Sequence, residues 1–257
     1  LGFAEDHPLR IQAGLLYVLQ KATDDGNVFL PEEELLDQAC QQLAVDRDLA
    51  RQAVLALEQE ERVVRESLDE LPGRLPAVFR EDGEDAEAPE VAVYLRRYHH
   101  YESRTAFYLH RLLHSPKAVR FAGPDALVEK VTESLSISLA PEQLEAVRTA
   151  ARSKVMVLTG GPGTGKTTII NAIIRLFGEV KAKILLAAPT GRAAKRMSET
   201  SGREARTIHR LLEYSPQEDG FARNEDNPLA CGLLVVDEAS MMDTLPFYHL
   251  LKALPMR

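Results

Sequence analysis

The stretch that decides the fold is KVMVLTGGPGTGKTTIIN, residues 154–171. An apolar run of strand length, residues 155–158, stops at a glycine-rich turn, and a helical pattern restarts over residues 165–177. Gly160, four residues, then Gly165, Lys166 and Thr167 match G-x-x-x-x-G-K-[ST], the P-loop pattern. Gly161, Gly163 and Gly165 permit backbone torsions and a close approach that a Cβ would forbid, so successive N–H groups can turn inward around a phosphate. Lys166 is expected to reach the β- and γ-phosphates and the Thr167 hydroxyl to ligate Mg²⁺, with the positive end of the helix aimed at the same place. Alone, the loop implies only a nucleoside triphosphate, because many kinases, GTPases and motors share it.

The strand, turn and helix of this stretch recur downstream. Residues 184–188 read as a second buried strand that ends in Pro189, Thr190 and Gly191 before a helix over 192–200; residues 233–237 read as a third. This alternation marks a parallel α/β sheet with functional loops at the C-terminal ends of its strands. The third strand ends in Asp237 and Glu238 behind four hydrophobic residues, the form of a Walker B segment, in which Asp237 holds Mg²⁺ and Glu238 polarises the attacking water. Upstream, Pro141 opens a helix whose Gln143 has both a donor and an acceptor, a match for the N6 and N7 edge of adenine.

Over the whole chain the net charge is −8, which would discourage a nucleic-acid reading, but its two parts differ in sign. Residues 1–90 hold 8 Lys and Arg against 22 Asp and Glu, whereas residues 91–257 hold 23 against 17, so a polyanion should meet the second part. Residues 1–66 read as three helices with a short strand at each break, a winged-helix-like module whose third helix, with Glu58, Glu60 and Glu61, would face phosphates poorly. Residues 67–90, with three prolines and the run EDGEDAEAPE, read as a linker or hairpin tip; residues 91–134 as a connecting strand and helices; residues 135–257 as the ATPase lobe. His110 and His114 stand four apart on a helix but lack a third metal ligand. The polar stretch 213–230, with Tyr214, Pro216, Gly220, Phe221 and Asn224, reads as a hairpin. Cys40 and Cys231, without ligand spacing, fit a reducing compartment, and no apolar run approaches the ~20 residues of a spanning helix. The expected location is cytoplasmic, with no membrane partner.

Taken together, LAPEQLEAV (139–147), TGGPGTGKTT (159–168), LLAAPTGRAAKRM (185–197), RTIHRLL (206–212) and LLVVDEASMMD (233–243) resemble the Q motif and motifs I, Ia, Ib and II of the exodeoxyribonuclease V alpha-subunit-like (RecD/TraA) branch of superfamily 1 DNA helicases. PLRIQAGLLYVLQKA (8–22) and AVYLRRYHHYESRTAFYLHRLL (92–113) are similar to the same family, so the resemblance covers nearly the whole chain. It implies a RecA-like motor lobe that uses Mg²⁺ and ATP to move 5′ to 3′ along single-stranded DNA and open duplex junctions, in DNA repair or recombination, with nuclease or helicase subunits as further partners. By matching position, Gln143 would read adenine; Gly160, Gly161, Pro162, Gly163, Thr164, Gly165, Lys166, Thr167 and Thr168 would hold the phosphates; Thr167 and Asp237 would serve the metal, with Lys166 and Glu238 catalytic; Pro189, Thr190, Arg192, Thr207 and His209 would line the DNA track. Two competing classes are a non-motor P-loop ATPase and a non-catalytic adaptor fragment of a helicase–nuclease complex.

The family places a further strand after motif II, between the Walker A and Walker B strands, and a second lobe whose arginines reach the γ-phosphate. The chain begins with Leu, stops at Arg257 and is expected to be a fragment ending within the first lobe. A missing arginine contact lowers the rate by about 10³- to 10⁵-fold. The purified 257-residue chain is therefore expected to be nearly inert as an ATPase and not to unwind DNA; DNA-stimulated turnover near ~1 s⁻¹, the low end of typical enzymes, would contradict this.

Overall fold

Helix α1, Pro8–Asp24, starts where Pro8 needs no N–H partner and where His7 Nδ1 accepts from the Leu9 N–H. Its apolar positions Ile11, Leu15, Val18 and Leu19 share one face and are buried. The computed structural model describes residues 4–68, 90–117, 119–134, 138–161, 163–217 and 220–255. It divides into two compact units, Leu1–Ser103 and Arg104–Arg257.

In the first unit, α1 packs on α2 (Glu32–Leu43) and α3 (Arg47–Gln59). Three acidic residues in the first turn of α2, Glu32 to Glu34, complement its positive end, and Asp46 caps α3 by accepting from the Asp48 N–H at 2.8 Å. Strands β1 (Phe29–Pro31), β2 (Val63–Ser67) and β3 (Val91–Leu95) form an antiparallel sheet in the order β1-β3-β2, with Phe29 opposite Tyr94 and Val63 opposite Leu95. Leu35, Leu36, Ala39, Val54, Leu57 and Val93 join the α1 face in one core. Glu32 is nearly buried and bonds the Arg65 guanidinium at 2.6 Å, which also reaches Glu58. Most of the acidic stretch read as a linker, residues 69–89, lies outside the described residues.

Helix α4, Arg96–His114, begins in the first unit and continues into the second. There, α5 (Pro124–Glu133), α6 (Pro141–Arg152) and α7 (Lys166–Glu179) enclose an apolar cluster that includes Val128, Val147, Ile169, Ile173 and Leu176. Strands β4 (Ile184–Ala188), β5 (Ala205–Thr207) and β8 (Leu233–Val236) run parallel in the order β5-β4-β8. Helix α8 (Gly191–Ser201) returns from β4 to β5, and α9 (Ile208–Leu211) continues from β5. Strands β6 (Tyr214–Ser215) and β7 (Gly220–Phe221) pair as the expected hairpin, and α10 (Thr244–Lys252) follows β8. Ile208, Leu211, Leu212 and Leu250 form a second core against Ala187.

One expectation is corrected. Residues 155–158 join no sheet ladder. Their alternation is nonetheless realised in side chains: Met156 and Leu158 pack on the α5–α6–α7 cluster, while Val157 is 86% exposed. Side-chain burial alone does not make a strand, which needs a neighbour to take its N–H and C=O groups. Among the described residues no strand flanks β8 on the side away from β4, and β8 is accordingly half-buried at all four positions.

The packing predicts unequal responses to truncation in the first unit. Leu36→Ala removes a fully buried side chain and should destabilise by about 2–5 kcal/mol. Leu55→Ala, at a position 40% exposed, should stay within about 0.5 kcal/mol. Urea unfolding followed by circular dichroism separates the two, and equal midpoints would contradict the assigned core.

Candidate nucleotide-binding site

The loop between residue 158 and α7 turns on two left-handed glycines, Gly163 (φ +77°) and Gly165 (φ +83°). Gly165 is the N-cap residue of α7 and has no side chain to bond the first-turn N–H groups, which leaves them for a ligand. A Cβ at Gly165 would overlap Gln143 Nε2, so this glycine is required by both torsion and space. Thr164 Oγ1 donates to the Gly161 carbonyl at 2.9 Å and tightens the loop. The Lys166 ammonium folds back onto the same loop, donating to the carbonyls of Gly160 and, at 2.9 Å, Gly161. Phosphate oxygens placed against the loop would be stronger partners for that ammonium than neutral carbonyls. Pro162 lies outside the described residues.

Gln143 is held at both ends of its amide. Its Oε1 accepts from the Ala140 N–H at 3.0 Å, closing the N-terminus of α6, and its Nε2 donates to the Thr164 carbonyl at 3.0 Å. The residue expected to face adenine thus ties α6 to the glycine-rich loop. From the other side, β8 delivers Asp237, whose N–H donates to the Ala187 carbonyl of β4 and whose Oδ1 accepts from the Glu238 N–H at 2.9 Å. Glu238 adopts a left-handed backbone, φ +53°, a conformation that costs a residue with a Cβ about 1–3 kcal/mol. The strain turns the chain abruptly at the end of β8 and leaves Glu238 exposed.

These groups meet. A cleft of about 130 Å³ is lined by Lys166, Thr167, Asn171, Arg196, Asp237 and Glu238, among others. Its volume is well below the ~300–1,000 Å³ of whole small-molecule sites, so it suits the phosphate and metal end of a nucleotide and not all of it. The donor set fits that group: two oxygen ligands for a hard cation, Thr167 and Asp237, beside one ammonium for phosphate. Thr168 follows on α7 and is half-buried. Asn171 and Arg196 were missed by sequence reasoning. Both had a signal, because Asn171 lies one turn beyond Thr167 on α7 and Arg196 one turn beyond Arg192 on α8. The Asn171 amide donates to the Thr200 carbonyl at 3.1 Å, which ties α7 to the end of α8 at the cleft.

The other expected residues gather at the C-terminal ends of the neighbouring strands. Ala188 and Thr207 are paired across β4 and β5, so Pro189, Thr190 and Arg192 adjoin Thr207 and His209. Thr190 Oγ1 caps α8 by accepting from the Ala193 N–H at 3.2 Å, and Thr207 Oγ1 caps α9 by accepting from the Arg210 N–H at 3.3 Å. Each hydroxyl keeps its own proton to donate. Arg192 and His209 are exposed. The His209 ring lies 5.6 Å from Tyr214 and 5.7 Å from Phe221, and Phe221 in turn lies 4.5 Å from His249, so the hairpin is anchored on both α9 and α10. Burial, with the Lys252 ammonium adding to it, pulls His249 down to about 4, so this anchor is neutral at pH 7.

A family model described as an AAA domain matches residues 143–257. The chain is 36% identical over 255 residues to the ATP-dependent RecD2 DNA helicase of Deinococcus radiodurans, a match that covers 99% of this chain and 34% of that protein. It is 36% identical over 136 residues to the RecBCD enzyme subunit RecD of Haemophilus influenzae, covering 44% of this chain and 21% of that one. It is 42% identical over 106 residues to the ATP-dependent DNA helicase dda of Enterobacteria phage T4, covering 39% and 24%. The chain spans about a third of the length of the first of these relatives and less of the others. No helix among the described residues is long and apolar enough to cross a membrane. These matches make the chain a relative of the RecD-type superfamily 1 helicases.

Proposed function

We propose that the second unit is the nucleotide-binding part of the first RecA-like lobe of an ATP-dependent 5′ to 3′ DNA helicase or translocase, and that the first unit is a winged-helix-like module attached to it. The observation that carries this reading is the convergence of Lys166 and Thr167 with Asp237 and Glu238 in one cleft at the C-terminal ends of parallel strands. Lys166 would exchange the carbonyls of Gly160 and Gly161 for the β- and γ-phosphates. Thr167 and Asp237 would hold Mg²⁺, which neutralises phosphate charge when bound. Glu238 would orient the attacking water, and Gln143 would release the Thr164 carbonyl to read adenine. Glycine Cα and backbone N–H groups from Gly160 to Thr168 would wrap the phosphates.

Beside this site, Pro189, Thr190, Arg192, Thr207 and His209 would track single-stranded DNA up to a duplex junction. Short hydroxyl side chains, helix N-termini and one guanidinium donate to phosphates without reading sequence, which is what a translocating motor requires. The 214–221 hairpin next to His209 would then stand where strands part. Membership in a nuclease-bearing complex would be a property of the longer protein.

Two expected outcomes test the reading. Lys166→Ala should weaken Mg²⁺-ATP binding by about 10- to 100-fold in calorimetry, the worth of a charge-assisted bond of about 1.5–3 kcal/mol; equal affinity would remove the nucleotide assignment. Arg192→Ala combined with Thr207→Val should weaken binding of an oligothymidylate while leaving ATP affinity unchanged. If both ligands bind the double variant as they bind the wild type, the cleft belongs to an ATPase without a DNA track.

A further inference from the structure

The second unit carries another cationic cleft, away from the nucleotide site. It is lined by Lys117, Val119, Arg120, Phe121, Pro124 and Arg152, with a volume of about 450 Å³, inside the ~300–1,000 Å³ range of binding sites. Its position follows from the helices. Gln143 at the start of α6 touches the glycine-rich loop, whereas Arg152 closes the same helix nine residues (~14 Å) further on at 1.5 Å per residue. Val119 lies against Gly232, whose N–H bonds the Lys183 carbonyl at the entry to β8 and β4. This cleft is therefore at the N-terminal edge of the parallel sheet, and the nucleotide cleft is at the C-terminal edge.

Its positive charge is only partly compensated. Arg152 bonds Asp125, with Glu145 contributing at longer range. Lys117 and Arg120 meet no carboxylate among the described residues, and half-buried Lys154 next to the cleft donates only to the Pro116 carbonyl at 2.6 Å. Burial and the neighbouring Lys117 ammonium both pull Lys154 below the ordinary lysine range, so these like charges press on one another. The walls between the cations are apolar and firm: Phe121 packs edge-on against Phe177 at 5.0 Å. Cations around an apolar trough match a sugar-phosphate strand, with phosphates relieving the repulsion and sugars or bases lying on the floor.

We propose that the Lys117–Arg120–Arg152 cleft is a second nucleic-acid contact, holding the backbone of a DNA strand at the edge of the sheet opposite the ATP site. The inference rests on the reading of the second unit as a DNA-dependent ATPase. Binding there is independent of base sequence and adds to the salt dependence of the whole protein.

The test is the fluorescence anisotropy of a labelled oligothymidylate over a series of KCl concentrations, with the 257-residue chain and its Lys117→Ala/Arg120→Ala variant. Each single-strand phosphate contact contributes about 0.7 to the slope of log affinity against log salt, so the variant should bind more weakly, with a slope shallower by about 1.4. A fluorescent ATP analogue should bind both proteins equally. The charge-keeping variant Lys117→Arg/Arg120→Lys should bind DNA as the wild type does; loss of binding there would show a fold defect in place of a lost cation and overturn the assignment. An unchanged slope in the alanine variant would overturn it as well, and if Arg192→Ala/Thr207→Val still weakens DNA binding, the motor reading survives that failure. Wild type that binds no DNA would sink both. Displacement of the oligonucleotide by tripolyphosphate at equal phosphate concentration would give the cleft to a free polyphosphate and refute the nucleic-acid assignment.

Discussion

The first turn of α7 ends in backbone N–H groups that have no partner within the helix, and the surrounding structure is organised around them. A side chain at the N-cap position would satisfy one of them, but Gly165 has none, and its left-handed backbone bends the chain back over the helix end. The loop stays open to an anion because its own stabilising bonds, from Thr164 to Gly161 and from Gln143 to Thr164, run through its carbonyl side. Lys166 bonds the same side, and the carbonyls that it now holds are weak competitors for a phosphate.

Two further constraints convert an anion site into a candidate hydrolytic one. The first is the parallel register of β4 and β8, which brings Asp237 beside Ala187 and so level with the ends of the other strands. The second is the strained turn at Glu238, which ends β8 abruptly and sends that carboxylate out into the cleft. The same geometry one strand over places Thr190 and Thr207 as helix caps at neighbouring strand ends. On the proposed reading, a nucleotide and a strand of nucleic acid would be served by one edge of one sheet, an arrangement through which a motor can make its grip depend on the nucleotide.

Much of this was legible in the sequence. The glycine spacing of residues 160–165 and the hydrophobic run into Asp237 each have a single mechanical reading, and the helix starts at Pro8 and Pro141 follow from proline chemistry. Residues 155–158 were different, since alternation reports which side chains are buried and is silent on whether a neighbouring strand completes the ladder. Gln143 could be read as a hydrogen-bonding residue, but its partners, Ala140 and Thr164, depend on how α6 meets the loop. Arg196 could not be assigned from sequence because its nearness to Thr167 arises only when α7 and α8 lie side by side. The cleft at Lys117 joins residues 117–124 to residues 151–152, far apart in sequence, and leaves no local pattern.

The central claim is that the glycine-rich loop and the strand-final acidic pair form one nucleotide site. Hydrogen–deuterium exchange of the chain with and without Mg²⁺-ATP tests it most directly. The account predicts slowed exchange in two separated peptides at once, one covering residues 160–170 and one covering residues 233–241, with the first unit unchanged. Protection of the loop peptide alone, or protection elsewhere with both of these peptides unaffected, would contradict it.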